Sequence, residues 1–166
     1  QDKTSSNVSE GKDDANEGSD LVDSKADSDN NVVTIYFSDS DALGLVGEER
    51  TIDNITPEAL INELIKGPQD PNNKKTIPDG TKLLGIEIKD KIAYVDFSKE
   101  LKENHWGGST GELFTIFSIV NSLVLQPDLD IEKVQILIEG QAVDSLAGHA
   151  DISVPLEPDL QMVDMK

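Results

Sequence analysis

The sequence predicts an α+β domain: a small mixed β-sheet with two helices packed on one face, in the order strand, helix, hairpin, helix, strand (βαββαβ). Three observations lead there. Stretches 56–67 and 109–125 place apolar residues at helical spacing. Stretch 84–97 alternates apolar residues on both sides of a short polar turn, as a hairpin does. Two β-branched runs, 32–37 and 134–138, flank these at the ends. Helices with one apolar stripe each need a surface to cover, and one sheet face buries both stripes together.

The first strand is expected at 32–37 (V-V-T-I-Y-F), ended by the turn residues Ser38 to Asp41, with a short second extended segment within 43–52. Helix one is sharply bracketed. Thr56 is a good N-cap, Pro57 suits the first helical position, Gly67 supplies a left-handed cap and Pro68 blocks continuation. Its buried stripe is Leu60, Ile61, Leu64 and Ile65. Pro78 and Gly80 mark a turn, Pro at its first central position and Gly where φ is positive. In the hairpin, Leu84, Ile86 and Ile88 alternate against Ala93, Val95 and Phe97 across Lys89-Asp90-Lys91, a turn without the usual glycine. Ser98 caps a short helical turn with Leu101 pointing inward.

The long helix, 109–125, carries Leu113, Ile116, Phe117, Val120 and Val124 on one face, so the core is expected to form against it. Ser109 and Glu112 have the spacing of a capping box. Strand 134–138 reads as central because Leu137 breaks alternation. Gly140 and Gly148 read as turn residues, and 152–156 as an edge-like segment closed by Pro155 and Pro158.

The chain has 166 residues, a formal net charge of −19 and no cysteine. Its length suits one domain with a core that needs no disulfide or metal. The acidity disfavours nucleic acid and anionic lipid as partners, and it favours a monomer for the isolated domain. Without cysteine there is no disulfide framework, thiol catalysis or cysteinyl zinc site. Residues 1–31 hold nine acids, three lysines and no aromatic residue. They are expected to form a disordered acidic tether with a reach of about 30 Å. The globular domain is expected over 32–158 and a loose C-terminal tail over 159–166.

No residue pattern for catalysis, metal or cofactor stands out. His105 precedes Trp-Gly-Gly and lies near Ser109, without a third group or an oxyanion hole marked beside it; His149 follows a turn glycine. The run from Gly107 to Gly111 lacks the lysine of a phosphate loop. Asp39 and Asp41, and Asp128, Asp130 and Glu132, alternate but lack the remaining ligands of a calcium loop. Asp96 and Glu112 are the one pair of carboxylates offered for glycoside chemistry, a reading weakened by the capping role of Glu112. Asn54 opens a glycosylation sequon whose Thr56 is better used as the helix cap.

Several pieces in this order resemble the GerMN domain of GerM-like sporulation and spore germination proteins. They are Val32 to Phe37, Glu49-Arg50, Ala59 to Pro68, Ile77 to Thr81, Ala93 to Ser98, Gly108 to Thr110, Ile138 to Gln141 and Leu146 to Gly148. The residues taken as the structural signature are Gly67, Pro68, Pro78, Gly80, Ser109, Glu112, Gly140 and Gly148. The resemblance implies a fold similar to ring-building motifs, which are assembly modules. It implies a secreted or lipid-anchored protein of Gram-positive, often spore-forming bacteria, with envelope or sporulation-complex proteins as partners. It brings no catalytic residue and no cofactor. The membrane would be reached only through an N-terminal lipid anchor upstream of Gln1. The functional expectation is therefore a non-catalytic extracytoplasmic interaction module. The alternative is a wall-active or wall-binding protein that uses surface carboxylates.

Overall fold

The computed structural model describes residues 31–163. The elements run β1 (Val32–Ser38), β2 (Leu45–Thr51), α1 (Pro57–Lys66), β3 (Leu83–Lys89), β4 (Ile92–Phe97), α2 (Glu100–Glu103), α3 (Ser109–Val124), β5 (Lys133–Ile138) and β6 (Gln141–Ala142). Single 3-10 turns lie at Pro127–Leu129 and Leu160–Met162. The tether expected over 1–31 lies outside the described residues, Asn31 apart, as does the tail beyond residue 163.

The architecture is α+β as expected, but the strands divide into two sheets, β1–β2 and β3–β4–β5–β6. In the larger sheet β3–β4 and β5–β6 are antiparallel and β4–β5 parallel. A parallel pair needs a crossover connection, which α2 and α3 supply. Ala93, Val95 and Phe97 pair with Val134, Ile136 and Ile138, so all six share the buried face. β1 stays out of this sheet because its second edge is occupied. Ser38 exchanges backbone bonds with Lys74 (3.1 and 2.9 Å), and the Tyr36 N–H donates to Ser122 Oγ (3.1 Å).

Most local features follow from residue chemistry. Thr56 Oγ1 accepts the Ala59 N–H at 3.1 Å, and Gly67 ends α1 at φ 95°. The hairpin turn closes at Asp90 and Lys91, both at positive φ (53° and 66°), a type I′ geometry reached without glycine. Glu139 (φ 50°) and Gly140 (φ 80°) make the corresponding turn between β5 and β6. In the 78–81 turn the Thr81 N–H returns to Pro78 O at 3.3 Å, so Pro78 is the first corner and not the first central residue.

Three other expectations need correction. A register shift between Leu83 and Gly85 sets Leu83 opposite Phe97. Leu84 is turned out and is 51% exposed; Ile88 shares the face of Ala93 but lies on the edge strand, 44% exposed. Ser98 Oγ accepts the Lys82 N–H (2.9 Å) instead of capping α2, although Leu101 is buried as expected. The C-terminal segment is docked through residue 163, not loose. Asn121 exchanges two bonds of 3.0 Å with the Asp159 backbone, Leu156 bridges Val134, and Val163 bridges Leu45.

α3 is the hub. Beyond its apolar stripe, Glu112, Thr115, Ser118, Asn121 and Ser122 are all buried, and each has a partner. Thr115 Oγ1 donates to Thr76 O (2.6 Å), and Thr76 Oγ1 donates to Ser118 Oγ (2.7 Å). A buried polar group without such a partner costs on the order of 1–3 kcal/mol, so these bonds fix where the neighbouring segments lie.

A second clamp centres on Arg50, buried over the Phe37 ring at 5.3 Å. Its guanidinium donates to Glu48 Oε1 (2.9 Å), Glu63 Oε1 (2.9 Å) and Gly67 O (2.8 Å), tying β2 to α1. Glu48 in turn accepts the N–H groups of Gln69 and Asp70 and the Asn73 amide. Truncating Arg50 takes the buried counter-charge from Glu48 and leaves Glu63 paired only with the exposed Lys66. Arg50→Ala is expected to lower unfolding free energy by about 3–5 kcal/mol in urea denaturation. Lys91→Ala, which removes only exposed ion pairs at 3.6 Å, is expected to change it by less than about 1 kcal/mol.

Candidate functional site

The first turn of α3 borders a cleft of about 480 Å³. On its other side lie Ala42, in the turn after β1, and the segment Lys74 to Thr76, held to β1 by the Ser38–Lys74 bridge. Trp106 is the conspicuous side chain, 52% exposed at the rim. Local chemistry holds it in place. The His105 and Trp106 rings stack at 4.8 Å. Gly107 and Gly108 reverse the chain at φ 86° and 85°, a region where a side chain is strained. At Gly111 a Cβ would lie 2.5 Å from the Trp106 indole nitrogen, so glycine is required for the indole to rest on α3.

His105 is a structural member of this loop. Its Nδ1 accepts the Gly107 N–H (3.0 Å), which leaves the ring proton on Nε2 to be donated to Thr115 Oγ1 (2.9 Å). Burial lowers its pKa from the ordinary 6.5, against the opposing pull of the nearby Glu112 charge.

Glu112 departs most from expectation. The residue before α3 is Gly108, and no side chain caps the helix; Ser109 is exposed. The carboxylate is instead fully buried and turned to the loop after β6. Oε2 accepts the N–H groups of Leu146 (2.9 Å) and Ala147 (2.8 Å); Oε1 accepts the His149 N–H (2.8 Å) and lies 3.2 Å from His149 Nδ1. Burial pushes its pKa up, and these four donors more than offset that, so the carboxyl is held below its usual range. Gly148, at φ 94°, completes the loop that wraps the carboxylate.

Asp96 and Glu112 are not brought together. Asp96 alternates with the buried Val95 and Phe97 and so lies on the opposite sheet face, where Oδ1 accepts the Gly140 N–H at 2.7 Å. Gly67, Gly80, Gly140 and Gly148 have positive φ, Pro78 opens the 78–81 turn, and Pro68 follows the end of α1. Among the described residues no three His, Asp or Glu side chains are grouped to hold a metal ion, and no helix is long and apolar enough to cross a membrane. Periodicity and motif spacing single out neither Trp106 nor Lys74 and Lys75. The available signal was the single Trp of the chain beside two glycines, and a Lys-Lys pair in an acidic background.

The family model Germane, described as sporulation and spore germination, matches residues 16–144. A crystal structure described as a candidate lipoprotein from Clostridium perfringens is similar, with 34% identity and a TM-score of 0.55, over 76% of this chain and 86% of that one. The tandem GerMN domains of the sporulation protein GerM from Bacillus subtilis match with 24% identity and a TM-score of 0.63, over 80% of this chain. This chain spans 47% of that tandem structure. The first GerMN domain of the same protein matches with 22% identity and a TM-score of 0.59, over 78% of this chain and 96% of that one. No curated protein matches.

Two expectations follow from the geometry. In Glu112→Gln one oxygen becomes an N–H2 that faces donors, so the variant is expected to lose about 2–4 kcal/mol of stability. Amide exchange should quicken at Leu146, Ala147 and His149, and unchanged protection there would refute the clasp. For His105 the folded pKa lies below the unfolded one, so the unfolded chain takes up the proton first. Stability is complete above about pH 6.5 and is lost as pH falls from there toward the folded pKa. Urea midpoints at pH 7.5, 6.5 and 5.5 should fall for the native chain, and His105→Gln should flatten that slope.

Proposed function

Because the chain belongs to the Germane family of sporulation and spore germination and carries a GerMN-type domain, we propose that it is a non-catalytic interaction module acting outside the cytoplasmic membrane. The observation that carries this reading is how its candidate chemical groups are spent. Glu112 is enclosed by backbone donors, His149 leans on Glu112, His105 is held by Gly107 and Thr115, and Asp96 holds the β5–β6 turn. A general acid or nucleophile needs a free face toward substrate; Glu112 and His105 are turned into the fold, while the half-exposed His149 and Asp96, on the outer sheet face, are each engaged in a hydrogen bond. The surface offers a rigid, half-exposed Trp beside a cleft, which is the kind of anchor that interfaces use.

The similarity to the Clostridium perfringens candidate lipoprotein supports a lipid-tethered, extracytoplasmic location. The family description supports partners among envelope or sporulation complexes. The wall-active alternative has less support, since its carboxylate pair is split across the larger sheet.

The test pairs two assays on the full chain. Crosslinking in the source cells should trap envelope or sporulation proteins, with yield reduced in Trp106→Ala. Purified peptidoglycan incubated with the chain should release no soluble fragments. Fragment release at rates above a heat-treated control would overturn the non-catalytic reading.

A further inference from the structure

We propose that the Trp106 cleft is the docking site for an extended acidic segment of a protein partner, one that lays an apolar side chain on the indole and sets carboxylates against Lys74 and Lys75. The inference rests on the interaction-module reading and assigns it a site and a partner chemistry. The cleft, about 480 Å³, falls within the range of roughly 300–1,000 Å³ typical of ligand-sized sites. Trp106 and Phe114 supply apolar surface, and the indole, still 52% exposed, is preorganised by stacking with His105 and by close approach to Gly111. A held aromatic ring loses little conformational entropy on binding, so most of its burial appears as affinity.

Charge decides the partner. The chain has 33 acidic and 14 basic residues, yet Lys74 and Lys75 line this cleft and no carboxylate does. The cleft beside His149 is the reverse, lined by Asp144 and Asp151 with no lysine or arginine. Lys74 makes no ion pair among the described residues. Lys75 pairs with the exposed Asp79, and an exposed pair of this kind is weak enough to exchange for a partner carboxylate. The chain's overall negative field is screened over about 8 Å at physiological ionic strength, so the lysines dominate at contact. The same field disfavours long polyanions, which leaves a short segment with a few carboxylates around an apolar residue.

The test is selection of a degenerate hexapeptide library on the immobilised full chain, in parallel with Lys74→Glu/Lys75→Glu and Trp106→Ala. All three positions are exposed, and circular dichroism with thermal melting confirms that each variant is folded. Peptides enriched on the native chain should place Asp or Glu beside an aromatic or branched aliphatic residue. They should shift the emission of Trp106, the one Trp of the chain, in a saturable way. Affinity should fall at least tenfold in the double variant and in Trp106→Ala. Enrichment of basic or uncharged peptides, enrichment of none, or undiminished binding by the double variant would each overturn the proposal. Crosslinked partners in the preceding assay would survive those results, so the two readings fail separately.

Discussion

A helix buried around most of its circumference must find a partner for every polar side chain it carries, and that requirement organises this domain. α3 holds five such residues. Ser122 takes the Tyr36 N–H of β1, Thr115 and Ser118 take up the Thr76 segment, Asn121 clasps Asp159, and Glu112 gathers the loop at 146–149. Apart from β1, each segment so fixed has little regular structure of its own. The apolar residues of α1, β1, β4 and β5 supply the driving force for collapse against the same helix. The polar bonds decide which loops return to it, and where.

The same constraint shapes the surface. Glu112 faces the 146–149 loop, and no side chain caps the start of α3. Because Thr115 is tied to His105 and Thr76, the Trp106 loop and the Lys74–Lys75 segment are brought to opposite sides of one cleft. The site is thus assembled by buried hydrogen bonds from pieces more than thirty residues apart. A domain built in this way has Glu112 and His105 occupied by architecture and the Trp106 ring on view.

The legible parts of the fold were those governed by local rules. The α1 boundaries follow from Thr56, Pro57, Gly67 and Pro68, whose backbone preferences act within one turn. The β3–β4 hairpin follows from alternation, and β5 reads as central from its nearly continuous apolar run. What misled were residues with two uses. Glu112 has capping-box spacing, but three backbone donors delivered by a distant loop outbid a single one at the helix end. Leu84 fits the alternation until a register shift at Gly85 turns it out. Thr115, Ser118, Asn121 and Ser122 lie off the apolar stripe that helical spacing marks, and they are residues that bond α3 to its surroundings.

The sequence by itself determined the α+β class, the helices α1 and α3, the strands β1, β3, β4 and β5, the ends of α1 and the family, because these depend on periodicity and on backbone preferences a few residues wide. Tertiary structure alone decided that β1 and β2 form a separate sheet, that the C-terminal segment docks, that Glu112 is a clasp and that Trp106 faces two lysines. Those outcomes depend on which distant donor meets which acceptor once water is excluded, and no local spacing encodes that pairing.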